Sequence, residues 1–276
     1  MKFRRDSFTP APARRHSLER TPLVTKPDYG IDEPCVIRRL VLVSVALPLL
    51  GIALTIAGLV HSHLIMFAMG ATSVIVAVGC TATIFLMIKS SRHGKQRVRD
   101  TVLNEFQFRG DERVLDVGCG RGLMLLGAAK RLREGTVVGL DTWSQEDQYK
   151  NAPENTFANA VAEGVPLDRV RLQNGNMCDM SFIASDSFDV VLSSLTIHNV
   201  RTRKARQRAV AEMVRVLKPG GSIALVDCRH VREYAGHLER TGWVTEVRCS
   251  PVDWNMFPPI RVVYAKKRDG PLMEEV

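Results

Sequence analysis

Three glycines set at alternate positions, Gly118, Gly120 and Gly122 in "VLDVGCGRG", carry the clearest chemical signal in the chain. They follow an apolar β-branched run, so they predict a tight strand-to-helix turn where backbone can approach a ligand closely. Alone the pattern is weak. A dinucleotide fingerprint requires a third glycine three residues after the second, and this sequence has Leu123 there. Asp116 stands two residues before the first glycine, which suits a ligand with positive charge or amine and hydroxyl donors better than a pyrophosphate. A second run, "TVVGLD", ends in Asp141, 19 residues after Gly122, where a carboxylate can accept two hydrogen bonds from a ribose diol. Together these features disfavour a nicotinamide-linked oxidoreductase.

From Arg113 the chain alternates short apolar runs with amphipathic stretches: VLDV, GLMLLGAAKRL, TVVGLD, a helical stretch from Pro153 to Glu163, RVRLQ, FDVVLSSL, AVAEMVRVL and SIALVDC. Strand, helix, strand, helix in this rhythm predicts a doubly wound parallel sheet with helices on both faces. Ligands then gather at the carboxyl ends of the strands, near the switch point after the first.

The stretch from about 99 to 268 resembles the class I S-adenosylmethionine-dependent methyltransferases, particularly the quinone-biosynthesis-like small-molecule group. The carriers are "VLDVGCGRG", "VVGLD", "NGNM", "FDVVLSSLTIHNV" and "AEMVRVLKPGG" in that order. The resemblance implies a Rossmann-like sheet of seven strands, the last antiparallel, closed by a hairpin of "VTEVRCSP" and "IRVVYAKK". It implies that Gly118, Cys119, Gly120 and Gly122 wrap the methionine part of S-adenosylmethionine. Asp116 would organise that loop and the amino group, and Asp141 would hold the ribose, with Thr142 beside it. Asn176 and Met177 would flank adenine, and Ser193 or Ser194 would line the methionine end. Two departures stand out. Asn176 occupies a position where many relatives carry Asp, keeping an acceptor but losing the charge. The stretch after Asp141 is longer and more polar than usual, and Trp143 is placed either to cover adenine or to pack in the domain.

Methyl transfer from a sulfonium is an in-line displacement, so a base is needed only when the nucleophile carries a proton. His198 in "SSLTIHNV" is the candidate base, lying past the fourth strand, with Asn199 as a neighbouring substrate contact; a pocket-shaping histidine is the competing reading. Asp227 and His230 follow the fifth strand and are either substrate contacts or solvated loop residues. "RTRKARQR" reads as the exposed first turn of a helix. Six cysteines without a C-x-x-C pair read as reduced thiols, with no metal site.

The net charge of +9 has a sharp distribution. Leu40 to Ile88 is uncharged, its flanks at 1–39 and 89–99 together hold 14 basic and 5 acidic residues, and 100–276 holds 24 of each. The excess therefore reports topology rather than affinity for nucleic acid. An uncharged block of 49 residues is about twice one membrane span of roughly 20 residues. Breaking it at His61-Ser62-His63 gives spans at about 40–60 and 64–88, a transmembrane helical hairpin with Gly51, Gly58, Gly70 and Gly79 as close-packing points. The basic flanks put both termini and the domain on the cytoplasmic side. Expected boundaries are a disordered basic tail over 1–35, with basophilic sites at Ser7 and Ser17, spans within 36–89, a basic linker over 90–110, the methyltransferase domain over 111–268 and a short tail over 269–276. The partners expected are a small, membrane-dissolved acceptor and the bilayer, without nucleic acid. A catalytically silent scaffold that keeps the fold is the alternative, and the oligomeric state is not set by these residues.

Overall fold

The computed structural model describes residues 26–144 and 151–270. Of the tails expected over 1–35 and 269–276, residues 1–25, with Ser7 and Ser17, and residues 271–276 lie outside the described residues. The chain divides into two compact units: Gly30–Val98 with Trp254–Pro259, and the remainder.

The larger unit is built on a seven-stranded sheet in the order β3-β2-β1-β4-β5-β7-β6. The strands are β1 (Arg113–Val117), β2 (Thr136–Asp141), β3 (Val170–Asn174), β4 (Phe188–Ser194), β5 (Leu217–Asp227), β6 (Val244–Cys249) and β7 (Arg261–Lys267). The first five pair in parallel. The last two form the antiparallel hairpin expected from "VTEVRCSP" and "IRVVYAKK", and β7 runs against β5.

Strand alternation sorts the side chains. Leu115, Val117, Val138 and Leu140 form one core with Val210 and Met213 of α6 (Arg203–Val216) and Tyr234 and Leu238 of α7 (Val231–Thr241). Asp116, the alternate residue, points to the opposite face, where its Oδ2 accepts from the Leu125 N–H of α4 (Leu123–Ala129) at 2.9 Å. Gly139 pairs with Asp116 on β2, and a Cβ there would meet Leu125, Leu172 and Cys119. The fifth helix, α5 (Pro153–Ala162), starts with proline in its first turn, where the missing N–H costs nothing.

The smaller unit is a helical hairpin of α1 (Pro34–Val60) and α2 (Leu64–Lys89), turning at His61 and Ser62. Both helices are long and apolar enough to cross a membrane. Their backbones approach at glycine: a Cβ on Gly51 would lie 2.9 Å from the Gly70 carbonyl, and one on Gly70 would lie 2.7 Å from the Gly51 carbonyl. Gly79 is a correction, since a Cβ there would meet nothing within 4 Å.

Two further expectations change. The 90–110 linker is largely helical: a π turn at Ser90–Gly94 runs on from α2 into α3 (Lys95–Asn104), and Val98, Val102 and Leu103 give that helix a buried apolar stripe. Residues 28–29 are packed rather than tail-like. Tyr29 is buried, its hydroxyl donates to Glu163 Oε1 at 2.8 Å, and Asp28 bonds Asn159 and Arg121. One aromatic ring and paired polar groups suffice to hold this segment down, although composition places it with the proline-rich tail.

Candidate active site

The glycine turn leaves β1 with its N–H groups anchored. Gly118 and Cys119 both donate to the Leu140 carbonyl of β2, at 2.7 and 3.1 Å. Gly118 has φ of 74°, and a Cβ on it would collide with the Thr196 side chain, so the position demands glycine for both conformation and space. Gly120 and Gly122 also have positive φ. Cys119 is buried and its thiol is pushed well up by burial, which leaves it a packing residue beside Gly139.

Asp141 stands at the end of β2 and ties the two loops together. Its Oδ2 accepts from the Gly120 N–H at 2.8 Å, and its Oδ1 accepts from the Trp143 N–H at 2.7 Å and Asn151 Nδ2 at 3.1 Å. Trp143 is half-buried with φ of 56°, and Thr142 is exposed. Loop carbonyls are held from α5: Thr156 Oγ1 donates to Gly120 O at 2.7 Å and Asn159 Nδ2 to Arg121 O at 2.9 Å. Sequence reasoning passed over Thr156 and Asn159. Their signal was a polar pair at i and i+3 on one face of an otherwise apolar-sided helix.

Asp116 has one oxygen satisfied by Leu125; the other, Oδ1, is buried with no hydrogen-bond partner among the described residues. Burial raises its carboxyl to about 7, the Leu125 N–H opposes the rise, and the Asp141 charge adds to it. A buried carboxylate oxygen without a donor at a glycine turn is an acceptor suited to an ammonium group. The carboxyl groups of Asp116 and Asp141 suit a ligand with an ammonium and hydroxyl donors, so these residues fit S-adenosylmethionine. Asp116 with Gly118, Gly120 and Gly122 would hold its methionine part and Asp141 its ribose.

Across the sheet at the same edge, Ser193 is buried and donates to Val117 O at 2.9 Å, bracing β4 on β1. Ser194 is partly exposed. Thr196, another residue missed from sequence, donates to Ser194 O at 2.9 Å and to Gly118 O at 3.2 Å, coupling the β4 loop to the glycine turn. Asn176 is exposed, and its Oδ1 already accepts from the Cys178 N–H at 2.9 Å in a local turn; Met177 packs partly against the core.

His198 sits in a short turn, Ile197–Asn199, with Asn199 exposed. Its Nδ1 lies 2.7 Å from Asp227 Oδ1. Of the two readings for Asp227, substrate contact or solvated loop residue, the solvated one does not hold: it is buried at the end of β5 as the histidine's partner. Its Oδ1 also accepts from the N–H groups of Cys228 and Arg229, and its Oδ2 from the His198 N–H and the Tyr234 hydroxyl. A carboxylate only accepts, so Nδ1 carries the proton and the Nε2 lone pair is left for another group. Cys228 offers its sulfur within 4.8 Å of the two, a metal-like cluster. Five donors on one carboxylate leave it little capacity for an ion, and the Cys228 thiol is pushed up to about 11 by burial and by Asp227. Arg206 is a further correction. It is buried rather than part of an exposed helical turn, and it bonds Glu233 at 2.7 Å and the Val200 and Arg201 carbonyls, bracing the segment after His198.

This sheet order, with a glycine turn after β1 and carboxylates on β1 and β2, is a Rossmann-like arrangement whose strand-edge residues fit S-adenosylmethionine. Residues 115–225 match the family model described as a methyltransferase domain. A demethylmenaquinone methyltransferase of Symbiobacterium thermophilum is 35% identical over 115 residues, covering 41% of this chain and 41% of that protein. A nocamycin O-methyltransferase of Saccharothrix syringae is 36% identical over 137 residues, covering 48% and 45%. The chain spans about half the length of the curated relatives it matches or less. Among solved structures, the [4+2]-cyclase SpnF superposes with a TM-score of 0.51 at 17% identity, covering 63% of this chain and 81% of that one, a likeness of fold.

Proposed function

We propose that the protein is a membrane-anchored S-adenosylmethionine-dependent methyltransferase whose acceptor is a small, lipophilic molecule with a protonated nucleophile, such as a quinol-like hydroxyl. The observation that carries the reading is the 2.7 Å pairing of His198 Nδ1 with buried Asp227, which leaves Nε2 as a base. When bound, the cofactor supplies a methyl group on a sulfonium sulfur, which keeps the C–S electron pair as the methyl leaves. His198 Nε2 takes the nucleophile's proton as the new bond to the methyl carbon forms, and Asp227 stabilises the imidazolium. Asp116 and Asp141 bind and orient the cofactor from β1 and β2 at the same sheet edge, and Asn199 offers its amide to the acceptor.

The hairpin of α1 and α2, exposed along most of its apolar length and flanked by basic residues, supports anchoring with both ends cytoplasmic. A bilayer tether concentrates an enzyme on a bilayer-dissolved acceptor. Membranes carrying the full chain, incubated with methyl-labelled S-adenosylmethionine, are expected to place label in the lipid extract. Label confined to protein would replace the acceptor class. The other reading is a protein of this fold that transfers no methyl group. Calorimetric binding of S-adenosylmethionine with no labelled product in any fraction would support it.

A further inference from the structure

The segment Trp254–Pro259, drawn from the connection between β6 and β7, belongs to the compact unit of the helical hairpin. It is seated on the π turn at the end of α2. Ser90 is buried, accepts from the Phe257 N–H at 2.9 Å and donates to Met256 Sδ at 3.6 Å. Met256 is buried as well, and any side chain at Gly94 would run into the Asn255 carbonyl, so glycine there makes room for the loop. From the other side, Ser91 Oγ and Lys95 Nζ bond Asp32 at 3.1 and 3.2 Å, which holds the turn rigid. Within this clamped segment Trp254 is 74% exposed. A large aromatic ring this exposed is costly to leave in water.

The surroundings identify what covers it. Lys89, Arg92 and Arg97 are exposed and form no ion pair among the described residues. The π turn begins directly after Lys89 and at about 1.5 Å per residue extends roughly 7 Å beyond it, the thickness of one headgroup layer outside a hydrocarbon core of about 30 Å. Tryptophan and lysine or arginine are the residue types that settle in that layer. Resting on the membrane reading above, we propose that Trp254 is an interfacial anchor: its indole inserts into the headgroup layer of an anionic leaflet, with Lys89, Arg92 and Arg97 as the cationic collar.

The full chain and Trp254→Phe, reconstituted in vesicles of phosphatidylcholine and phosphatidylserine, test this. Flotation after alkaline wash reads insertion, and lipid-borne bromine against aqueous iodide reads the tryptophan environment. The expected result is flotation of both proteins, with a bromine-quenched, iodide-protected component of the emission lost in Trp254→Phe. Flotation of both with that component unchanged, or with Trp254 emission quenched by iodide, overturns the anchor and leaves the membrane reading intact. Failure of the full chain to float overturns both.

Discussion

His198 and Asp227, 29 residues apart, meet at the carboxyl ends of two neighbouring parallel strands with Nδ1 and Oδ1 2.7 Å apart. Converting His198→Ala is expected to lower turnover by about 10²- to 10³-fold while calorimetry gives an unchanged affinity for S-adenosylmethionine. His198→Ala with full turnover would mean the histidine only shapes the pocket. Asp227→Asn is expected to lower turnover too and to reduce thermal stability, because an amide nitrogen then faces some of the donors that converge on the carboxylate.

Asp116 links pH to cofactor binding. Its carboxyl rises from 3.8 to about 7 on burial, so below that pH the free domain holds it protonated. A raised carboxyl favours the folded state fully below its unfolded value, and that contribution is lost as pH climbs through about 7. A bound ammonium favours the ionised form. Cofactor affinity should therefore rise with pH up to about 7, with proton release on binding just below it, and calorimetry in buffers of different ionisation heat measures this. Asp116→Asn should bind weakly and without the proton release.

Gly118→Ala forces a side chain to a φ of 74° and into Thr196. The left-handed conformation alone costs about 1 kcal/mol or more, so a lower melting temperature and loss of cofactor binding are expected. Adding Thr196→Ala removes the collision but not the backbone strain, so stability should return only in part.

Tyr29→Phe deletes the hydroxyl that donates to Glu163 and keeps the buried ring. Lys130 and Arg99 still hold that carboxylate, at 2.5 and 3.5 Å. A loss of about 1 kcal/mol in denaturant unfolding is expected, without change in the sheet's far-ultraviolet signal. No measurable loss would show that the Tyr29 hydroxyl's bond to Glu163 contributes nothing to stability.

Periodicity and punctuation are local properties, and they made the strands and helices legible: β-branched runs, a glycine turn and a proline at the first turn of α5 each act within a few residues. The 49-residue uncharged block was equally plain, because crossing a bilayer is a matter of length and polarity. Where expectation and structure part, the deciding contact is distant in the chain. Tyr29 is buried by Glu163, and Arg206 is drawn in by Glu233. Gly79 fell outside the helix contact because glycine content does not say which face meets the neighbour.

From the residues alone came the fold class, the glycine turn with Asp116 and Asp141, and the candidacy of His198. Only the tertiary structure decided what those groups can do. Parallel pairing of β4 with β5 brings Asp227 to His198 and sets the proton on Nδ1, and packing of α4 leaves Asp116 one satisfied and one unsatisfied oxygen. Residue type sets which chemistry is available to a side chain. Its protonation and the direction of its lone pair depend on neighbours that the fold, rather than chain proximity, supplies.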